Sequence, residues 1–262
     1  MTNGEARILA IGDIVGKSGT SFIADKLWGL RKFYGVDMVV ANGENAAPGN
    51  GLDRDTADTL FRAGVDVITS GNHIFRKSSV EQLLESEEKI LRPANYPSAC
   101  PGSGWCIFDM CSYKVLVMNL LGTVFMESLA SPFETADRIL EREKGNFDFA
   151  VLDIHAEATS EKLALAKYLD GKVSAIFGTH THVQTADEQI FSGGTGYITD
   201  AGMCGPFDSV LGIKNDIIIR KFLTKMPVRH EEADTPPALC GCLFTLSLSS
   251  GKCTDVQRIC IR

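Results

Sequence analysis

Five apolar, strand-like runs in this chain each end at a residue able to ligate a metal. Residues 7–12 lead to Asp13, and residues 37–42 lead to the turn Gly43-Glu44-Asn45. Residues 65–69 run into Ser70-Gly71-Asn72-His73, 149–154 into His155, and 175–178 into Thr179-His180-Thr181-His182. Four of the five histidines therefore lie in these turns, and only His230 lies elsewhere. Imidazole nitrogens combined with carboxylate and amide oxygens suit iron, manganese or zinc better than calcium. Taken singly, each element has an ordinary structural use. An aspartate after a strand is commonly a helix cap, and Gly43-Glu44-Asn45 is a common turn sequence. His180 and His182, two residues apart just beyond a strand, are harder to explain that way. Five such ends together point to a metal-dependent site.

The order of the elements is what brings such scattered residues together. Residues 18–33 carry Phe22, Ile23, Leu27 and Leu30 at helical spacing, and 53–63 carry Ala57, Leu60 and Phe61. The resulting β-α-β-α-β rhythm gives parallel strands joined by right-handed crossovers. In open α/β sheets the ligand site lies beyond the carboxyl ends of the strands, where these candidates sit. Farther along, residues 105–109 and 114–119 read as an antiparallel pair, and 133–144 and 161–169 as helices. Residues 196–199 form a short strand, and 239–248 with 253–261 a closing hairpin around Ser249-Ser250-Gly251. Residues 202–206 read as a structural turn rather than a loop lining the site. Residues 205–237 break the alternation and read as a small cap excursion, carrying Lys214, Arg220, Lys221, Lys225 and Arg229 beside Glu231-Glu232. The expectation is one α/β domain over residues 1–262, with mixed β-sheets flanked by helices and the excursion over about 205–237.

In order and chemistry the blocks resemble the calcineurin-like metallophosphoesterases, whose motifs run D-x-H, G-D, G-N-H, a lone histidine and G-H-x-H. Two departures stand out: Asp13-Ile14-Val15 lacks the histidine two residues on, and Glu44 replaces the usual aspartate. Both departures, with Gly71-Asn72-His73, Gly178-Thr179-His180-Thr181-His182 and Ala41-Asn42-Gly43-Glu44-Asn45-Ala46, match one bacterial branch, the YmdB-like phosphodiesterases. The resemblance runs from Ile8 onward over nearly the whole chain. It implies layered mixed sheets of metallophosphoesterase type and hydrolysis of phosphodiesters, including 2',3'- or 3',5'-cyclic nucleotides. It also implies two divalent or trivalent metal ions, iron first, with manganese or zinc as substitutes. Carried over to this sequence, Asp13, Glu44, Asn45 and His182 become ligands of the first metal. Glu44 also bridges to the second, completed by Asn72, His155 and His180, and His73 matches the general acid.

These roles make chemical sense. A bridging ligand must be anionic and two-armed, which Glu44 is and an asparagine is not. Two cations about 3.5–4 Å apart hold a hydroxide between them and neutralise charge in an in-line displacement. A histidine beside Asn72 is placed to protonate the leaving oxygen, and the Asn45 carbonyl oxygen partly replaces the missing histidine. Asp153 and Asp200 are candidate acceptors for the outward nitrogens of the ligating imidazoles.

Composition narrows the alternatives. A net charge of -7 argues against a dedicated duplex nucleic-acid binder; the substrates that the resemblance implies, small phosphodiesters, cyclic nucleotides and RNA-derived cyclic ends, all stay open. No apolar run nears the ~18 residues needed to span a bilayer, and no export signal opens the sequence. A cytoplasmic protein without a membrane partner is expected, with exposed edges that leave room for a homo-oligomer. Eight cysteines without C-x-x-C spacing read as reduced and mostly buried small hydrophobes. Gly12-Asp13-Ile14-Val15-Gly16-Lys17-Ser18 imitates a P-loop, but three residues separate the glycines where a phosphate cradle needs four. An NTPase is therefore disfavoured. A metal-binding regulatory scaffold with little turnover is the stronger alternative, motivated by the missing histidine and opposed by the retention of His73. The basic stretch 214–229 reads as a solvated face, against a cap that guides anionic substrates.

Overall fold

A strand covered on both faces must be apolar at nearly every position, because its side chains alternate from one face to the other. The computed structural model describes residues 4–262, and the runs that lead to the candidate ligands are largely of this doubly buried kind. The chain begins β1 (Glu5–Ile11), β2 (Asp13–Ile14), α1 (Gly16–Tyr34), β3 (Met38–Asn42), α2 (Arg54–Ala63), β4 (Val67–Thr69) and α3 (Val80–Ser86). It continues with β5 (Trp105–Asp109), β6 (Lys114–Leu121), α4 (Pro132–Arg142), β7 (Phe149–His155), α5 (Thr159–Tyr168) and β8 (Ala175–Thr179). It closes with β9 (Gln189–Ile190), β10 (Gly196–Ile198), β11 (Met203–Pro206), α6 (Asn215–Thr224), β12 (Pro237–Ser247) and β13 (Cys253–Ile261).

Two mixed sheets result. The first has the order β2-β11-β12-β1-β3-β4, with β13 pairing with β12, and the second β5-β6-β7-β8-β10-β9. β1, β3 and β4 are parallel, as the sequence rhythm requires, and β6, β7, β8 and β10 form the parallel part of the second sheet. Ile8, Ala10, Met38 and Val40 pack with Val115, Val117, Val151 and Phe177 between the sheets. The alternate residues Leu9, Ile11, Val39 and Ala41 pack with Ile23, Leu27, Ala57 and Leu60 of α1 and α2. On the opposite outer face Leu116, Met118, Leu152 and Ile154 meet Ala136 and Ile139 of α4 and Leu165 of α5. Each large aliphatic side chain fully buried in these layers contributes about 1.5–3 kcal/mol. This is the layered α/β architecture of the metallophosphoesterase type.

Two features differ from the sequence expectation. Residues 202–206 are not a turn: Met203–Pro206 is β11, parallel to β2 and antiparallel to β12. The final hairpin forms as expected, with β12 antiparallel to β13, and β12 also lies antiparallel along the whole of β1 inside the first sheet. The cysteines divide: Cys204, Cys240, Cys242 and Cys253 are buried, while Cys111 and Cys260 are exposed. Gly12 explains how the chain passes from β1 into β2 beside β11, because a Cβ there would stand 1.9 Å from the Gly202 carbonyl oxygen. No helix among the described residues is long and apolar enough to cross a membrane.

The excursion between β11 and β12 carries α6, whose one buried residue is Ile218. A Lys214–Glu231 ion pair at 2.8 Å closes it on itself. Glu232 then ties it to the start of α1, where Val15 occupies the N-cap position and its side chain makes no cap hydrogen bond. The Glu232 carboxylate accepts the backbone N–H groups of Lys17 at 3.2 Å and Ser18 at 2.9 Å. A helix N-terminus attracts anions through its unpaired N–H groups and dipole. In the glycine-rich segment that imitates a P-loop, that position belongs to a carboxylate of the chain itself. Glu232→Ala is expected to lower stability by about 1 kcal/mol, read as a reduced midpoint in urea denaturation. An unchanged midpoint would show that this cap contributes nothing.

Candidate metal centre

The carboxyl ends of the parallel strands deliver the site residues from both sheets. Asp13 opens β2 and Glu44 follows β3, and both are essentially buried, at 0% and 1% exposure. Asn72 and His73 follow β4, His155 ends β7, and His180 and His182 follow β8. Glu44 lies at the centre. Its Oε1 is 2.9 Å from Asn45 Nδ2, 3.3 Å from His155 Nε2 and 3.4 Å from His73 Nδ1. Its Oε2 accepts the His73 backbone N–H at 3.0 Å.

The remaining donors divide to either side of this carboxylate. His155 Nε2 is 3.1 Å from Asn72 Oδ1 and 3.1 Å from His180 Nδ1. Glu44, His155 and His180 thus each offer a ligand atom within 4.8 Å of the others. On the other side, His182 Nε2 stands 3.7 Å from Asp13 Oδ1 and 3.4 Å from Asn45 Nδ2. Asp13 Oδ2 accepts the His180 backbone N–H at 2.9 Å. The structure therefore brings Asp13, Glu44, Asn45, Asn72, His73, His155, His180 and His182 together. His230 lies apart, exposed and beside Lys221. Gly71 permits the crowding, since a Cβ there would stand 2.3 Å from the His155 ring and 2.4 Å from Glu44 Oε2.

The charges are arranged for cations. Burial pushes the Glu44 carboxyl up, but His155 and His73 outweigh it and hold the group well below the ordinary range. Burial disfavours a charged His155, yet Glu44, Asp13 and Asp153 outweigh it and lift the imidazole to about 9. His180 goes the other way: burial and the neighbouring His155 depress it to about 3, so its nitrogen is a neutral lone-pair donor. Burial raises Asp13 and lifts Asp153 to about 6. Asp13 Oδ1 is buried with no hydrogen-bond partner among the described residues. A buried carboxylate oxygen that accepts no hydrogen bond and faces imidazoles fits a bound cation.

A further set of side chains, of which the sequence reading named Asp153 and Asp200, fixes these donors. Thr179 Oγ1 is 2.9 Å from His155 Nδ1 and donates to Asp153 Oδ1 at 2.7 Å. Asp153 also accepts from Asn42 at 2.9 Å and Thr69 at 2.6 Å, so one buried carboxylate links both sheets beneath the site. It therefore reaches His155 through a hydroxyl rather than directly. Asp200, the other expected acceptor, binds no imidazole among the described residues. It accepts from Thr181 N and Oγ1 and from Lys162 Nζ at 2.8 Å, and so holds the turn between His180 and His182. That turn needs holding, because His180 and His182 both have left-handed backbone, with φ of 98° and 64°. Glu157 Oε2 lies 3.1 Å from His180 Nε2, while Nδ1 is directed at His155. The sequence signal for Thr69 and Thr179 was slight: each is one polar residue ending an apolar strand.

The family model for YmdB-like proteins matches residues 9–259. The chain belongs to the YmdB-like protein family. Within this likeness it is 40% identical to a 2',3'-cyclic-nucleotide 2'-phosphodiesterase of Bacillus subtilis, over 97% of each protein. The crystal structure of a hypothetical protein from Thermus thermophilus superposes with a TM-score of 0.91 at 38% identity, covering 97% of this chain and 98% of that one. That of a novel phosphatase from Mycoplasma pneumoniae superposes at 0.93 and 34% identity, covering 100% and 94%.

Thr179 offers a direct test of how this YmdB-like centre is held. Thr179→Val keeps the side-chain shape but severs His155 from Asp153. Outer partners of ligating histidines typically control metal affinity by 10–100-fold. A loss of about that size is expected in metal titrations, with the far-ultraviolet circular dichroism unchanged. Wild-type affinity in this variant would remove Asp153 from the account.

Proposed function

We propose that this chain is a dinuclear-metal phosphodiesterase that opens small cyclic phosphodiesters, with 2',3'-cyclic nucleotides as its leading substrates. One observation carries the reading: two carboxylates, two amides and four imidazoles crowd together while Asp13 Oδ1 stays buried without a hydrogen-bond partner among the described residues. Such an orphaned polar atom costs about 1–3 kcal/mol, a cost that ligation to a cation removes. Asp13, Asn45 and His182 would hold one ion, Asn72, His155 and His180 the other, and Glu44 both. The donor mix suits iron, with manganese or zinc as alternatives. The chemistry two such ions supply is charge neutralisation at the phosphate and acidification of water to a nucleophile at neutral pH.

His73 supplies the acid. Asn45 Nδ2 donates to Glu44, so Asn45 Oδ1 is the atom 2.8 Å from His73 Nδ1, and that nitrogen must be the donor. His73 Nε2 then holds and delivers the catalytic proton. The side chain is 21% exposed, whereas His155 is fully buried, so substrate reaches His73 from outside. When a 2',3'-cyclic phosphate is hydrolysed, the oxygen of water forms a new bond to phosphorus, the bond from phosphorus to one ribose oxygen breaks, and that oxygen must take up a proton. A positioned acid typically contributes 10²–10⁴-fold to such a step. Asn45 thus has a second use beyond ligation, because it orients the acid. The substrate expectation draws support from the name of the Bacillus subtilis relative, a 2',3'-cyclic-nucleotide 2'-phosphodiesterase. 3',5'-Cyclic nucleotides and RNA-derived cyclic ends present the same diester and belong in the same assay.

His73→Ala is expected to lower kcat on adenosine 2',3'-cyclic phosphate by about 10²–10⁴-fold without changing metal content. Wild-type turnover in the variant would assign the proton to another group. An inert wild-type protein, fully loaded with iron or manganese, would instead support the regulatory scaffold.

A further inference from the structure

We infer that the cavity beside His182 is the nucleobase subsite of this centre, with Phe207 and Arg262 as its stacking wall; the inference rests on the phosphodiesterase reading. The cavity has a volume of about 360 Å³ and is lined by His182, Val183, Met203, Phe207, Leu211 and Arg262, among others. That size falls in the range of small-ligand pockets, roughly 300–1,000 Å³. His182 belongs to both the cavity and the metal centre, and its side chain is 11% exposed. A phosphate held at this centre would therefore lie next to the cavity.

The walls select the occupant. Val183 is 61% exposed, Phe207 43% and Leu211 45%, so large apolar side chains gather at the edge of an otherwise polar centre. Apolar surface in a cleft beside polar groups marks a ligand site. The Arg262 guanidinium lies 4.0 Å from the Phe207 ring centre, joining a cationic plane to an aromatic one. Bases stack on such surfaces, whatever their hydrogen-bonding edge. A purely aliphatic ligand would gain nothing from the arginine, and a second phosphate nothing from Phe207 or Leu211. A larger cavity near Trp105 also contains arginines, but none of the candidate ligands lines it. Phe207 and Leu211 both come from the excursion. Its contribution to the site is thus an apolar and aromatic wall, rather than the basic residues farther along it.

Phe207→Ala and Arg262→Ala, both at exposed positions, test the assignment in the intact protein. Adenosine 3'-monophosphate and inorganic phosphate are titrated by calorimetry. Rates are measured on adenosine 2',3'-cyclic phosphate and on base-free 1-O-methylribose 2',3'-cyclic phosphate. Loss of the stacking wall is expected to weaken adenosine 3'-monophosphate binding about tenfold and to raise KM for the cyclic adenosine substrate comparably. Phosphate binding and the base-free substrate should be unaffected. Equal losses with and without the base, no loss on either, or a wild type that binds the nucleotide no better than phosphate would overturn the subsite. If wild type hydrolyses neither cyclic phosphate, the phosphodiesterase reading fails, while the calorimetric contrast still decides the subsite.

Discussion

Glu44 is a carboxylate with 1% exposure, placed beside the fully buried Asp13 at the rim where two sheets meet. Among the described residues the charged partners of these two carboxylates are imidazoles alone. Removing such charges from water costs several kcal/mol each unless positive charge or good hydrogen bonds compensate. The surrounding groups respond accordingly: His155 is lifted to about 9 by the carboxylates against the effect of its own burial. Cations between the carboxylates and the imidazoles would meet the same demand. Much of the remaining architecture reads as the means of keeping these groups dry and close.

The two-sheet core performs that work by delivering strand ends rather than loops. Asn42 and Thr69 from the first sheet meet Asp153 from the second, so the rims are bound together beside the candidate ligands. The strained turn after β8 rests on the buried Lys162–Asp200 pair, with both side chains at 1% exposure. A buried pair of this type is costly to break from one side, because the surviving charge is left uncompensated. Its use is to fix Thr181, and with it the directions of His180 and His182. Strain of this kind persists where surrounding structure over-determines it, and it clusters at functional sites.

The candidate ligands were legible because each follows a strand whose apolar pattern is local. Parallel pairing then carries those ends to one rim with no further information. The polar residues beneath them were not legible. Asn42, Thr69 and Thr179 each end a strand, and only the other sheet reveals what they bind. Lys162 lies on a helix read only from its spacing, and nothing local signals its pairing with Asp200. β11 was hidden by composition, since Gly202, Gly205 and Pro206 favour turns when no partner strand is considered. β12 was recognised as a strand but not as an interior one, because register and neighbours depend on distant segments. The capping role of Glu232 joins residues too far apart for any local pattern to signal.

The central claim is that Glu44 and its neighbours hold two cations. Anomalous scattering at the iron and manganese edges, from crystals of metal-loaded protein, tests it most directly. The account predicts two peaks flanking the Glu44 carboxylate, one beside Asp13 and His182 and the other beside His155 and His180. A single peak, or loaded metal at any other place in the molecule, would contradict it.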